Sequence, residues 1–528
     1  MAYPFVPIAI IAVIVSGLLT LVLPGAAYLL LVCLVLAALG TYDRAQRKHA
    51  VLRNFPVIGR FRYLLESIRP EINQYFIESN TDGTPFNREL RSLSYQRAKR
   101  ARETVPFGTQ RDVYESGYEW INHSLEATRP AETEPRVTIG EGTTSRPYEA
   151  SLLNISAMSF GSLSDAAVRA LNGGARIGKF YHNTGEGSIS RYHLEPGGDL
   201  VWQIGTGYFG CRNKDGSFDP EAFADRAAPD AVRMIEIKLS QGAKPGHGGI
   251  LPAAKITKEI AGIRGVPMGY DVVSPPAHSA FSTPKELLNF VVQLRELSNG
   301  KPVGIKLCLG HPAEFLSLCK AMHETGHVPD FISVDGGEGG TGAAPLEFSN
   351  SIGAPLTEGL YIVHAALTGF GLRQKTKIIA SGKIITGFHM ASRLAAGADL
   401  CNAARGFMFA LGCIQARRCN SNVCPVGVAT QDRKLIRGLD VEDKTERVAS
   451  YHHQTVHAFL ELLAAAGLRD PAELRPWHIQ RRVSAREVRN YAEIYAYPEE
   501  GSFVNGTPPE PFAEWLSLCD VDHFRPRR

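Results

Sequence analysis

At 528 residues the chain is long enough for a large core and more than one domain. Its 44% hydrophobic and 21% charged content excludes a disordered chain, and a net charge of +4 over this length makes no global case for nucleic acid. The nine cysteines are odd in number and lack the spacing of a small disulfide framework, which suits free thiols in a reducing compartment and one metal site.

In chain order, residues 5–23 carry no charge, Pro24-Gly25 interrupts them, and residues 26–39 form a second apolar run. A helix needs about 20 apolar residues to cross a bilayer. The first run is therefore long enough, and the second becomes so when extended through Tyr42. The pattern predicts a transmembrane helical hairpin over residues 1–43. A secretory signal peptide would need a positively charged start, and Met1-Ala2-Tyr3-Pro4 has none. A hairpin buried in a soluble domain is the remaining alternative. Arg44, Arg47, Lys48, Arg53, Arg60 and Arg62 follow at once. Basic residues beside a membrane segment favour the cytoplasmic side, so the expected placement is the inner membrane with the body facing the cytoplasm. A solvated helical face would carry the same charges. Residues 44–150 read as a polar, mostly helical N-terminal cap. Leu64-Leu65, Ile68, Ile72, Tyr75 and Phe76 stand at helical spacing there, and Pro70, Pro85 and Pro106 break the pattern.

From about Leu152 short apolar runs alternate with helical segments. Strand candidates are residues 152–158, 180–184, 234–239, 270–274, 303–308, 331–335, 377–381 and 399–403. Eight strands with intervening helices predict an α/β fold, a closed (β/α)8 TIM barrel over residues 151–431, with an open doubly wound sheet as the alternative. The active site of such a barrel lies at the C-terminal strand ends. Residues 156–159, 183–187, Lys238, Lys306, Gly336-Gly337, Ser381-Gly382 and Arg405 collect there. Residues 432–528 read as a C-terminal helical cap.

Cys413, Cys419 and Cys424 have C-x5-C-x4-C spacing, and Pro425 follows the third. Iron–sulfur clusters are held by thiolates at short spacing, often with proline after the last. Three cysteines suit a three-iron cluster, with Arg417 and Arg418 offsetting its charge. Zinc prefers four ligands from paired units, and none are present. Three unrelated cysteines in a loop are the plain alternative.

Gly337-Glu338-Gly339-Gly340-Thr341-Gly342 matches G-x-G-x-x-G after a strand. A dinucleotide fingerprint needs a helix opening on those glycines. Pro345 follows instead, and the next clear helix is near Leu356. Bare backbone at a strand end still suits an anion. Together with Ser381-Gly382-Lys383 and Gly387 it suits a flavin phosphate at a barrel mouth. Residues 237–249 put two lysines among glycines and prolines, which could bind a carboxylate or form a solvated surface loop. Glu186 could donate a proton or bind an ammonium group. His182, His247 and His278 are weaker candidates.

These stretches resemble the glutamate synthase family, specifically its flavin-binding, iron–sulfur synthase domain. The matching motifs are residues 156–161, 183–187, 238–249, 339–343 and 412–431, in the family's order. The resemblance implies a (β/α)8 barrel holding FMN and a [3Fe-4S] cluster, which reduces 2-iminoglutarate, from 2-oxoglutarate and ammonia, to L-glutamate. By motif position, Cys413, Cys419 and Cys424 would hold the cluster. Met158, Ser159, Lys306, Gly340, Thr341, Gly382 and Gly387 would surround FMN. Lys306 would stabilise the charge of the reduced ring, and Glu186, Lys244 and Arg264 would meet the keto-acid.

The sequence departs from the family pattern in four places. The amidotransferase domain is not found, and a hairpin stands where it would be. Fewer than a hundred residues follow Gln431, too few for the family's long β-helix domain. The expected protein is therefore a stand-alone member that takes ammonia from solution or a separate subunit. In the substrate loop Ile250 replaces a glutamine and His247 a glutamate, and the usual SPPPHHD reads SPPAHSA from Ser274. These changes bear on the substrate more than on the redox centres. They leave open another keto-acid, imine or N-substituted amino acid, or a non-metabolic electron-transfer module. No separate NAD(P)-binding domain is visible, so ferredoxin or a partner subunit is the expected electron donor.

Overall fold

The computed structural model describes residues 4–101 and 104–527. The chain forms two compact units, one up to Arg88 and one from Glu89 on.

The first unit opens with two helices, α1 (Phe5–Thr20) and α2 (Ala26–Ala45), joined through Pro24-Gly25. The Phe5 ring sits against Gly40, where an added Cβ would lie 1.9 Å from the ring. With no side chain at Gly40, the two helices can close on one another. Ser16, Thr20 and Thr41 return their hydroxyls to carbonyls of their own helices, at 2.7, 2.6 and 2.7 Å. Ile10, Ile11, Ile14 and Leu18 on α1 are exposed, as are Leu29, Leu31, Val32 and Val35 on α2.

The helix lengths reverse the expectation. α1 ends at Thr20 after 16 residues, about 24 Å at 1.5 Å per residue, because residues 21–23 enter the turn before proline. α2 runs through Tyr42 to Ala45 and, among the described residues, is the helix long and apolar enough to cross a bilayer. A third helix, α3 (Arg60–Ile72), continues into a wider turn over Asn73–Ile77.

The second unit is built on a closed barrel of eight parallel strands: β1 (Leu153–Ile155), β2 (His182–Asn183), β3 (Leu200–Ile204), β4 (Val232–Lys238), β5 (Val303–Leu307), β6 (Phe331–Asp335), β7 (Lys377–Ser381) and β8 (Leu400–Ala403). Closure is made by β8 on β1, with Cys401 opposite Leu153 and Ala403 opposite Ile155. Crossover helices start on local caps. The Ser164 hydroxyl accepts from Ala167 N–H at the start of α4 (Asp165–Gly178), Thr283 accepts from Glu286 N–H at the start of α5 (Pro284–Leu297), and the His311 ring accepts from Ala313 N–H at the start of α6 (Pro312–Thr325).

The count of eight strands agrees with the sequence pattern, but one member differs. Residues 270–274 are not a barrel strand. Val272–Val273 pairs antiparallel with Ile250–Leu251 in an excursion beyond β4, and Val273 is exposed. The eighth strand is β3, fully buried. It is hard to read from sequence because only the four-residue helix Arg191–Leu194 separates it from β2, so the usual 3.6-residue rhythm of a crossover helix is missing. The capping segments are not wholly helical either. Glu119–Ile121, Ile479–Ser484 and Glu487–Asn490 form a three-stranded antiparallel sheet.

The long helix α9 (Val441–Ala465) packs on α4 through Gly174. A Cβ there would lie 2.3 Å from Val448 Cγ1 and 3.0 Å from the Thr445 carbonyl. Gly174→Val should therefore destabilise the protein by about 1–3 kcal/mol through overpacking. Gly262→Ala, in the helix Lys258–Arg264 with open space around it, should stabilise it by about 0.5–1 kcal/mol. Thermal denaturation of the two variants tests both signs.

Candidate functional site

The C-terminal ends of the strands meet through contacts that only glycine permits. Gly185, at φ +65°, lies after β2, and a Cβ on it would sit 2.7 Å from Ser159 N after β1. After β4, Gly242 faces the Gly336 carbonyl at a distance that would put a Cβ 1.8 Å away. Its N–H donates to Asp335 Oδ2 at 2.8 Å.

Glu186 is held in the middle of this mouth. Its carboxylate occupies a cradle made by Gly205 and Gly249, where Cβ atoms would lie 2.5 and 1.9 Å from its oxygens. Lys238 Nζ is 3.2 Å from Glu186 Oε1 and also donates to Gln241 Oε1 at 2.9 Å. Burial opposes the charged form of Glu186, but Lys238, Arg264 and Lys244 outweigh it and hold its pKa below the ordinary carboxylate value. Lys244 donates to the Ala343 carbonyl at 2.9 Å. Burial, reinforced by Lys238 and opposed by Glu186, lowers its ammonium to about 8. Arg264 donates to Ser159 Oγ at 3.3 Å and to the Phe160 carbonyl at 3.1 Å. It also lies over the Phe209 ring at 5.1 Å. The structure thus brings Glu186, Lys244 and Arg264 into one electrostatic cluster and adds Lys238. Three cations around one carboxylate leave an excess of positive charge, which is chemistry for binding an anion.

A polar layer lies beneath the mouth. Glu236 on β4 accepts from Asn183 Nδ2 at 2.8 Å, Gln203 Nε2 at 2.7 Å and Ser333 Oγ at 2.7 Å. One carboxylate so ties β2, β3, β4 and β6. Asn183 in turn accepts from Gly185 N–H at 3.0 Å, which fixes the loop that carries Glu186. Lys306 on β5 is 3.5 Å from Asp335 Oδ2. Its burial would lower the ammonium pKa, but Asp335 and Glu236 outweigh that and raise it, so Lys306 stays charged. Glu236 escaped the sequence reading because a glutamate in a buried strand carries no motif.

The positions that the resemblance assigns to FMN line the same mouth. Met158 is buried after β1, Gly382 follows β7 at φ +156°, and Gly340 is close enough to Arg405 that a Cβ would lie 3.0 Å from the guanidinium. Ser156 Oγ and Ser381 Oγ, 3.3 Å apart, link β1 to β7. Gly387 opens α8 (Gly387–Ala395), capped by Thr386. Its lack of a side chain is also a packing requirement, since a Cβ would lie 2.5 Å from Phe459 N on α9. The glycine run after β6 opens no helix. Instead Glu338 accepts from Leu356 N–H at 3.0 Å, at the start of α7 (Leu356–Gly369). Bare backbone, a helix N-terminus and a buried ammonium are a donor set that fits an anionic, planar, phosphate-bearing group.

The cysteine loop follows β8 and the helix Arg405–Ala410. Gly412, Gln415, Arg417, Asn422 and Gly427 have φ between +54° and +100°, which curls the loop back on itself. Tyr95 donates to the Cys413 carbonyl at 2.6 Å, and Asn422 Nδ2 to the Ala254 carbonyl at 2.9 Å. Ser164 Oγ donates to the Gly427 carbonyl at 2.7 Å. Cys413 feels both other thiols, and the Gln415 N–H donates to its sulfur; burial, first of all, pushes it up to about 11. Lys255 is buried, donates to the Ser162 carbonyl at 2.9 Å and faces Cys419 and Cys424. Among the described residues no three His, Cys, Asp or Glu side chains converge on a single metal ion. In a multi-iron cluster each thiolate bonds a different iron, so it needs a wider triangle of sulfurs. Three thiols within electrostatic reach of one another, with buried cations beside them, fit that arrangement. The two regions touch, for a Cβ on Gly342 would meet Cys419 Cβ at 3.8 Å, and Arg405 Nη2 donates to the Thr341 carbonyl at 3.2 Å.

The histidines lie elsewhere in the chemistry. His278 Nε2 is 2.9 Å from the Lys238 carbonyl and Nδ1 is 3.0 Å from Tyr208 OH. Both nitrogens are committed, and burial lowers its pKa to about 4. His182 is buried beside His193, at 5.3 Å between ring centroids. His247 packs edge-on to Phe348 at 5.2 Å.

A family model described as the conserved region in glutamate synthase matches residues 120–469. The glutamate synthase large subunit-like protein YerD of Bacillus subtilis (strain 168) is 39% identical over 489 residues, which are 85% of this chain and 93% of that protein. The archaeal glutamate synthase (NADPH) of Methanocaldococcus jannaschii is 34% identical over 322 residues, 61% of this chain and 60% of that protein. A solved structure of mandelate oxidase with (S)-2-phenylpropionate overlies 81% of this chain and 97% of its own, at 14% identity and a TM-score of 0.38.

Lys244 is set to lose its proton near pH 8. A small dicarboxylate titrated calorimetrically into the holoprotein should bind more weakly as pH rises through about 8. Glu186→Gln removes the attraction that holds that proton, so it should move the loss to lower pH. An unmoved transition would mean that another group controls it.

Proposed function

Because the chain belongs to the glutamate synthase family and is an oxidoreductase of that family, we propose that it uses FMN and a [3Fe-4S] cluster to reduce an imine to an amino acid. The imine is 2-iminoglutarate, from 2-oxoglutarate and ammonia, or a close relative of it. The observation that carries the reading is the half-buried Glu186 ringed by Lys238, Lys244 and Arg264 at the mouth of a glycine-lined barrel, beside a three-cysteine loop.

FMN when bound supplies hydride to the imine carbon, and the cluster supplies the electrons one at a time. Met158, Ser159, Lys306, Gly340, Thr341, Gly382 and Gly387 would hold the flavin, and Cys413, Cys419 and Cys424 the cluster. Lys306 is kept charged by Asp335 and Glu236, so it favours negative charge on whatever lies above it. Lys244 and Arg264 bind substrate carboxylates. Glu186 is held as a carboxylate, so its role is to orient an ammonium or iminium group rather than to donate a proton. Lys244 Nζ, near 8, can move a proton close to neutral pH.

A second reading keeps the redox centres and changes the substrate to another keto-acid or N-substituted amino acid. The observation favouring it is that Ile250 and His247 stand where the family pattern has polar residues, with the His247 ring packed edge-on to Phe348. In either reading the electrons come from ferredoxin or a partner subunit. The apolar hairpin followed by basic residues supports an inner-membrane anchor with the catalytic body facing the cytoplasm.

Purified protein should be yellow-brown with a flavin band and contain iron. Under anaerobic conditions, 2-oxoglutarate plus ammonium should reoxidise the reduced enzyme, and neither alone should do so. Reoxidation by a different keto-acid or imine, with none by this pair, would favour the second reading. Cys419→Ser should remove the iron and leave the flavin bound. Unchanged iron content would refute the ligand assignment.

A further inference from the structure

α3 carries an exposed apolar stripe. At 100° per residue, Phe61, Leu64, Leu65, Ile68 and Ile72 fall on one face of the helix, and Phe76 continues it through the wider turn. Their exposures run from 36% for Ile72 to 83% for Phe76. Such a stripe seldom stays in water in a protein of ordinary surface. The charges are not scattered. Arg62 and Arg69 border the stripe on one side and Arg60 on the other. Glu66 stands on the far face, and Glu71 shares the border with Arg60. Over residues 44–72 there are seven lysines and arginines against two carboxylates.

The start of α3 is pinned to the end of α2. Asp43 Oδ2 accepts from Val57 N–H at 3.0 Å and from Arg60 Nε at 2.9 Å, and the Asp43 side chain is buried. A helix leaving a membrane span would thus begin α3 at the depth where that span ends. An amphipathic helix that starts at this boundary, with an apolar face and arginine borders, matches the chemistry of the acyl–headgroup interface. Apolar side chains enter the upper acyl region, and guanidinium groups reach back to phosphates.

We propose that α3 lies in the surface of a bilayer, with its stripe facing the acyl chains and Arg60, Arg62 and Arg69 against anionic headgroups. The proposal rests on the reading of the hairpin as a membrane anchor and adds a second, interfacial element to it. A second copy of this chain covering the same stripe is the competing occupant, and it would show no preference for anionic lipid.

The test uses the full chain in nanodiscs of mixed phosphatidylglycerol and phosphatidylcholine, with p-benzoyl-phenylalanine placed in turn at Ile14, Leu65 and Ser67. After illumination, Ile14 and Leu65 should form lipid adducts, Leu65 several-fold more than Ser67 on the opposite face. The Leu65 yield should fall when phosphatidylglycerol is left out. Lipid adducts at Ile14, with Leu65 equal to Ser67 or joined to a second chain, would overturn the interfacial helix and spare the anchor. No lipid adduct at Ile14 would overturn the anchor and the interfacial helix with it.

Discussion

A half-buried carboxylate among three cations is the constraint on which the mouth of the barrel depends. Truncating one partner of a buried ion pair costs about 3–5 kcal/mol, and here the costly loss is the carboxylate, which alone offsets Lys238, Lys244 and Arg264. The surrounding backbone has been shaped to avoid that. Gly205 and Gly249 leave room for the Glu186 oxygens, and Gly187 leaves room for the Arg264 guanidinium, 2.7 Å from where a Cβ would be. These glycines come from the loops after β2, β3 and β4. The charges therefore decide how three loops approach one another: the loop after β2 brings Glu186, β4 and its excursion bring Lys238, Lys244 and Arg264, and the loop after β3 supplies the bare backbone of Gly205.

The layer below makes that arrangement rigid. Glu236 gathers donors from three other strands, and one of the donors, Asn183, holds the Glu186 loop through Gly185. A site tied to strand ends by a satisfied network keeps its geometry better than one resting on loop conformation alone. Lys306 gains its charge from the same network, since Asp335 and Glu236 outweigh the cost of its burial. The anion-binding pocket and the buried ammonium are thus parts of one electrostatic system. The cysteine loop joins it through Thr341-Gly342 and Arg405.

Much of this was legible in the chain, and the exceptions are instructive. The barrel was readable from alternating apolar runs, and the cysteine spacing stood out because thiols at short intervals have few other uses. β3 is hidden in the sequence because its crossover is nearly helix-free, and residues 270–274 mimic it because apolar residues in an outer hairpin look like a strand of the core. Lys238 was visible at a strand end, but its pairing with Glu186 needed the fold. Glu236 left no trace in sequence, because what makes it important is the set of donors around it. Gly387 shows a limit of another kind, since a glycine at a strand-to-helix turn suits a phosphate and here also lets α9 approach.

The departures in the substrate loop fall where the fold can absorb them. Residues 239–283 form an excursion beyond β4, outside the barrel ladder. Within it Gly248 is pressed against the Ser274 carbonyl, Ser274 N–H donates to the Gly249 carbonyl at 2.8 Å, and Thr206 holds the Pro275 carbonyl at 2.6 Å. His278 is locked between Lys238 and Tyr208. The stretch is therefore well ordered, and within it the His247 ring packs on Phe348 from the loop after β6. Changing the Ile250 and His247 side chains disturbs neither the Glu236 nor the Lys306 side chain, because neither bonds to the excursion, while the cysteine loop touches it through Asn422 and the Ala254 carbonyl. Substrate choice can drift in this part of the molecule while the redox machinery stays fixed, which is how a barrel varies its chemistry by its loops.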